Sequence, residues 1–199
     1  LTVPGDGPVT HAALTEAETD ELAGTAADAY RMSLDEVVFA AVLDVLDGAA
    51  WARCAIERDG RALVDGIPAA AAVGPFTLRG KTIAAIGRRP ADRLLAEAKQ
   101  AYRAAAPTGE PPTVLMRWLA APPGTDGDAP ITITAAVVDG RLRVDWAGHG
   151  DADRVVASLR TLAEHCRSAG AGAVSASDFP MAGLDSDELT AVLDGLAGS

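Results

Sequence analysis

The chain has 199 residues, of which 17 are basic and 28 acidic, for a net charge of −11 at neutral pH. That size fits one domain, or two small ones at most, and the charge argues against a nucleic-acid binder, whose phosphate contacts need clustered Lys and Arg. Apolar residues reach 49% and include 43 alanines, ample for a core and too many for bulk disorder, while aromatics reach only 4%.

Residues 1–12, with Pro4, Gly5, Gly7 and Pro8, read as a linker. Thr15 before Glu16-Ala17-Glu18 is an N-cap followed by acidic residues, which predicts a helix to about Tyr30. Ser33 caps a second helix, with Leu34, Val37, Val38, Ala41, Val42 and Leu46 on one apolar face. Trp51 to Glu57 has strand character, Asp59-Gly60 is a turn signal, and Val73 to Ile86 reads as extended, interrupted by Gly80. Pro90 suits the start of a helix to about Ala105, and Pro111-Pro112 that of a shorter one. Ala121 to Pro130 is a Pro/Gly/Asp loop. The clearest hairpin runs from Ile131 to Val138, through Asp139-Gly140, to Leu142–Trp146. Asp151 to Ser168 predicts a helix with Val155, Val156, Leu159, Leu162 and Ala163 on one face. A last helix spans Leu184 to Leu196, with Ser186 at its start. The sum is an α/β layer in residues 13–199: helices on a mixed or antiparallel sheet around one core.

Few residues offer chemistry. Cys54 and Cys166 lie far apart without Cys-x-x-Cys spacing, so neither a zinc site nor a disulfide framework is expected, and a reducing cytoplasm fits. The longest apolar run, Ile67 to Pro75, is about half a membrane span. No signal segment is recognisable, and the start at Leu1 without Met is what a piece of a longer chain would show. Of the three histidines, His11 falls in the linker and His165 at a helix end beside Cys166. His149-Gly150-Asp151-Ala152-Asp153 fits a His-x-x-x-Asp base-and-brace pattern of chloramphenicol-acetyltransferase-type enzymes, but Arg154 follows where those enzymes carry Gly. Asp151 or Asp153 is explained as a helix cap. No Gly-x-Ser-x-Gly elbow, Walker loop or Gly-x-Gly-x-x-Gly is present, so neither nucleotide nor cofactor use is supported.

Several strings, in order, resemble the epimerization domains of nonribosomal peptide synthetases. Ser177-Asp178-Phe179-Pro180-Met181, followed by Asp187-Glu188-Leu189, resembles the family's closing Ser-Asp-Phe-Pro-Leu run and acidic helix. Glu57-Arg58-Asp59-Gly60-Arg61 resembles its Glu-Gly-His-Gly-Arg motif, and Val73-Gly74-Pro75-Phe76-Thr77 its Val-Gly-Trp-Phe-Thr motif. Tyr30-Arg31 with Asp35, Ala98-Lys99-Gln100 through Arg103 and Pro107, and Val138-Asp139-Gly140-Arg141-Leu142 resemble further segments. The resemblance implies a single lobe of chloramphenicol-acetyltransferase-like fold, the C-terminal one of the two that the family carries. It also implies a proton-transfer role for Glu57, and as partners the adjacent synthetase domains and a phosphopantetheinyl carrier protein.

The departures bear on activity. The family's His-His-x-x-x-Asp-Gly motif belongs to the other lobe, and no adjacent His pair exists here. Asn-Tyr-Leu-Gly is missing, Pro75 stands for the motif Trp and Asp59 for the motif His, and the stretch between Trp118 and Ile131 is short. Epimerization needs a base on one face of the α-carbon and an acid on the other, so Glu57 alone is not enough. The other reading of Glu57 is a solvated carboxylate beside Arg58 and Arg61. The expectation is a partial, inactive epimerization-type domain serving as a spacer or docking surface in antibiotic or siderophore synthesis. Two other readings are half of an enzyme whose histidine lobe lies elsewhere, and a platform recruiting a tailoring enzyme.

Overall fold

The computed structural model describes residues 8–46, 50–59, 77–107, 110–118 and 129–172, with Asp178, Glu188, Ala191 and Val192. In chain order the described elements are β1 (Val9–Ala13), α1 (Glu16–Tyr30), α2 (Leu34–Val45), β2 (Trp51–Asp59) and β3 (Thr77–Ala85). They continue with α3 (Ala91–Arg103), β4 (Val114–Trp118), β5 (Ile131–Val138), β6 (Arg141–Ala147) and α4 (Ala152–Cys166). The strands form one mixed sheet in the order β1-β6-β5-β4-β2-β3. β4 runs parallel to both β2 and β5, and the other pairs are antiparallel.

Local signals account for most boundaries. Thr15 and Glu18 close a capping box on α1: the Thr15 hydroxyl accepts from the Glu18 N–H at 3.2 Å, and the Glu18 carboxylate accepts from the Thr15 N–H at 2.7 Å. At α2 the Glu36 carboxylate reaches back to the Ser33 N–H at 2.9 Å. Asp151 caps α4, its carboxylate accepting from the Asp153 N–H at 3.0 Å, as the cap reading of this stretch requires. The β5–β6 turn has positive φ at both Asp139 (51°) and Gly140 (72°), the backbone that a two-residue hairpin needs.

Four sequence expectations are corrected. Residues 9–12 are not linker: Val9 to Ala13 pairs along β6, register Val9 with Ala147. Pro111-Pro112 starts no helix; it leads into β4, whose Val114, Leu115 and Met116 are all buried between two parallel neighbours. Gly80 does not interrupt β3. A Cβ there would meet the Ala105 Cβ at 2.9 Å, so the glycine lets the chain after α3 close on the strand, where Lys81 and Ala106 form a β-bridge. Finally, α2 is buried from Glu36 to Leu43 rather than on one face, because it packs between α3 and α4 over the sheet. Asp59 ends β2, while Gly60 of the expected turn, residues 73–76, the loop 121–128 and most of the C-terminal helix lie outside the described residues, although Glu188, Ala191 and Val192 are helical.

Helices α1–α4 cover one face of the sheet. The core joins Leu22, Ala26 and Tyr30 of α1, the length of α2, and Val155, Leu159 and Leu162 of α4 to Cys54, Ile56, Met116, Ile133, Val144 and Trp146 of the strands. Strand alternation sends Ala55 and Leu115 to the opposite face, where they form a second small apolar group with Ala129. Glu57 lies on that second face.

Candidate functional site

Glu57 sits near the end of β2, an interior strand, with β3 on one side and β4 on the other. The register sets Arg79 directly opposite it on β3 and Arg117 directly opposite it on β4. Cross-strand partners on one face stand close enough for direct contact. Arg79 donates from Nε to Oε1 of Glu57 at 2.6 Å, and its Nη2 also pairs with that oxygen. Arg117 donates from Nε to Oε2 at 2.8 Å. The result is an Arg–Glu–Arg row across three strands.

This corrects the picture of a solvated carboxylate, since Glu57 is only 8% exposed. Arg58 is not its partner either. Being next in the strand, it points to the helix face, where its guanidinium lies 5.4 Å from the centre of the Tyr102 ring. Arg61 lies outside the described residues. Both arginines that do hold Glu57 escaped the sequence reading, because they stand 22 and 60 positions away. Only the strand register brings them together.

No histidine reaches this row. His11 lies on β1 and bonds Asp145 through Nδ1 at 2.8 Å; β1 and β6 are at least three strands from β2, on the order of 14 Å. His165 belongs to α4, under the other face, with Nε2 at 2.6 Å from the Tyr30 hydroxyl. His149 is exposed between β6 and α4. Guanidinium groups stay protonated at any working pH and cannot serve as the acid. Both cysteines are free and buried, and burial pushes the Cys54 thiol up to about 12 and the Cys166 thiol above its ordinary value. Neither is a thiolate nucleophile near neutrality. Among the described residues no His, Cys, Asp or Glu cluster could hold a metal ion, and no helix is long and apolar enough to cross a membrane.

A second polar cluster forms around α3. Lys99 is 1% exposed and donates from Nζ to the Tyr30 carbonyl at 2.6 Å and to Oδ2 of Asp178 at 2.7 Å. Arg103 donates to Oδ1 of Asp178 at 2.8 Å, to Oε1 of Glu36 at 2.6 Å and to the Arg31 carbonyl at 2.8 Å. Tyr102 donates to Oδ2 of Asp35 at 2.5 Å; burial first, and then the Asp35 charge, push its hydroxyl pKa above the ordinary value. Three of the strings quoted for the resemblance, around Tyr30, Lys99 and Asp178, thus meet in one ion-pair network.

No family model and no curated protein matches the chain. Solved structures do. The epimerization domain from the third module of tyrocidine synthetase B superposes with a TM-score of 0.60 at 15% identity, over 83% of this chain and 52% of that one. The first condensation domain of the CDA synthetase gives 0.52 at 19% identity, over 83% and 46%. The cyclization-docking bidomain of the EpoB nonribosomal peptide synthetase from Sorangium cellulosum gives 0.53 at 13% identity, over 81% and 42%. The fold is that of a condensation/epimerization-domain lobe. The lobe spans about half the length of these structures. Its described part includes the four helices α1–α4 on one face of a six-stranded mixed sheet. Within the lobe, Glu57 lies on the face away from the helices, and the α3 network lies at the opposite side of the sheet.

Proposed function

We propose that this chain is a partial, catalytically inactive epimerization-type domain of a nonribosomal peptide synthetase. Its role is that of a cytoplasmic structural spacer or docking surface between a carrier protein and neighbouring modules. The observation that carries this reading is the clamp on Glu57. Both oxygens of the one carboxylate that the resemblance nominates already accept charge-assisted hydrogen bonds from guanidinium groups. To take up a substrate proton, Glu57 would have to loosen an ion pair buried in the sheet. A matching acid on the far side of the α-carbon is also needed, and no described histidine approaches. Glu57 in this reading is a cross-strand tie, retained in position and vestigial in chemistry.

The test is proton exchange. Incubated in heavy water with an aminoacyl-loaded carrier protein, the lobe should leave the α-carbon unlabelled; clear deuterium incorporation would overturn the proposal. One observation favours a second reading, in which another lobe completes an enzyme. Trp51 and Ile83 are 64% and 65% exposed, and both lie on the Glu57 face at the β2–β3 edge. Adding the histidine-bearing lobe of an epimerization domain to the same assay separates the two: exchange that appears only in the mixture supports the enzyme half.

A further inference from the structure

The sheet ends on β3 at one side and on β1 at the other, and its two edges differ. The β3 edge is closed in part by the chain that follows α3. The Lys81 N–H donates to the Ala106 carbonyl at 2.6 Å, and the Ala106 N–H donates back to the Lys81 carbonyl at 3.0 Å. Arg79 and Lys81 also stand on that strand, and charged side chains on an edge discourage pairing with another chain. β1 carries neither device. Its sequence, Val9-Thr10-His11-Ala12-Ala13, has no Lys, Arg, Asp, Glu or Pro.

The ladder to β6 sets which backbone groups of β1 are free. One residue beyond the strand, in the same register, the Leu14 N–H donates to the Leu142 carbonyl at 2.9 Å. Backbone groups alternate sides along an antiparallel strand, so Thr10 and Ala12 also bond β6, while Val9, His11 and Ala13 turn their N–H and C=O groups outward. Among the described residues none of these outward groups meets a partner. The polar side chains beside them are drawn inward. The His11 ring is held through Nδ1 on Asp145 of β6 at 2.8 Å, and the Thr10 hydroxyl accepts from the Ala152 N–H at 2.9 Å. Neither one leans over the open edge.

We propose that this edge pairs with β1 of a second copy of the chain, antiparallel, about a two-fold axis at His11. The pattern of free groups selects that occupant, because positions 9, 11 and 13 are symmetric about His11. Val9 of each copy meets Ala13 of the other, and the two His11 residues meet on the axis. Each such pair exchanges two backbone hydrogen bonds, so every outward group of both copies is used. The result is one continuous sheet with helices α1–α4 of both copies on the same face. Area sets the strength. An edge about 17 Å long and about 10 Å deep covers roughly 170 Å² per copy, against about 800 Å² in a standard interface. The contact holds no ion pair between copies that each carry a net charge of −11, so the dimer is weak and reversible. It does not rest on the reading given to Glu57.

Sedimentation equilibrium of the full chain tests the proposal. The average mass should rise toward that of two copies between about 10 µM and about 1 mM, and association should tighten severalfold from about 50 to about 300 mM NaCl as repulsion is screened. In the wild type, hydrogen exchange at the His11 and Ala13 amides should slow as the concentration rises. Ala13→Pro removes an outward N–H but no bond to β6, and His11→Lys sets like charges opposite each other. Each should weaken the dimer roughly tenfold or more, with circular dichroism reporting that the fold is kept. The control Ile83→Lys, on the exposed apolar patch of the β3 edge, should dimerise as the wild type does. A chain that stays monomeric at 1 mM, or exchange at the two amides that ignores concentration, overturns the proposal without any variant. So does a dimer that both β1 substitutions leave intact, one that Ile83→Lys abolishes, or one that salt dissociates.

Discussion

Glu18 holds two jobs with one carboxylate. Oε2 closes the α1 capping box on the Thr15 N–H, while Oε1 accepts from Nε of Arg160 on α4 at 2.7 Å, pinning the two helices together. The Arg160 hydrogen bond, and then those of Thr15, hold its pKa at about 2 against an ordinary 4.5. A carboxylate with a depressed folded-state pKa contributes fully above its unfolded value and loses that contribution as pH falls toward the folded one. Glu18 therefore supports the fold above about pH 4.5 and ceases to between there and pH 2. Exposure screens the Arg160 pair and a glutamine at N3 can still close the capping box, so Glu18→Gln is expected to cost about 0.5 kcal/mol at pH 7, most of it from the charge facing Arg160. Urea midpoints of variant and wild type should converge as the pH drops through that window. A difference that stays constant would mean that charge has no part in it. Glu57 is the contrasting case: its two arginines leave it little water, and its worth lies in holding three strands in register.

Among elements, α3 is the joint on which the helix layer turns. Through Lys99 and Arg103 it ties the left-handed end of α1 at Arg31 (φ 53°), the start of α2 at Glu36, and Asp178. Removing one partner of a buried ion pair leaves the other charge uncompensated, which costs more than the pair itself contributes. Asp178→Ala should accordingly lower stability by roughly 3 kcal/mol, since the ammonium of Lys99 would keep only the Tyr30 carbonyl. Adding Lys99→Met should recover a large part of that loss, as an apolar side chain replaces the stranded charge. A double-mutant cycle in urea measures this, and simple additivity would refute the coupling. The same network shows what a sequence can and cannot disclose. The caps at Thr15, Ser33 and Asp151 and the Asp139-Gly140 turn are local chemistry, and the elements they start or join were legible. The strand after Pro111-Pro112 was not, because its identity depends on parallel neighbours drawn from elsewhere in the chain. Asp178 could be quoted as part of a string, yet its partners stand 75 and 79 positions away, and no local pattern announces them. Glu57 entered only through resemblance, and its clamp only through register.

For the whole molecule, the excess of eleven negative charges sets a term that no single contact shows. In water two charges about 20 Å apart repel by roughly 0.2 kcal/mol, and eleven unbalanced charges in one small lobe make tens of such pairs. The unfolded chain spreads the same charges over a larger volume, so repulsion weighs against the folded state. Salt acts on both sides of this balance. It weakens exposed ion pairs such as Arg93–Glu97, Arg160–Glu18 and Arg167–Glu21. It also shrinks the Debye length from about 30 Å at 0.01 M to about 8 Å at physiological strength, which removes most of the long-range repulsion. The pairs shielded inside the fold, Lys99–Asp178 and Arg117–Glu57, are screened far less. Summed over many pairs, the repulsion outweighs the few exposed bridges, so added NaCl should stabilise this lobe. A thermal melt should show Tm rising by a few degrees between about 10 and about 300 mM NaCl, with no change in cooperativity. A fall in Tm over that range would place the balance in the surface ion pairs instead, and with it the main electrostatic support of the helix layer.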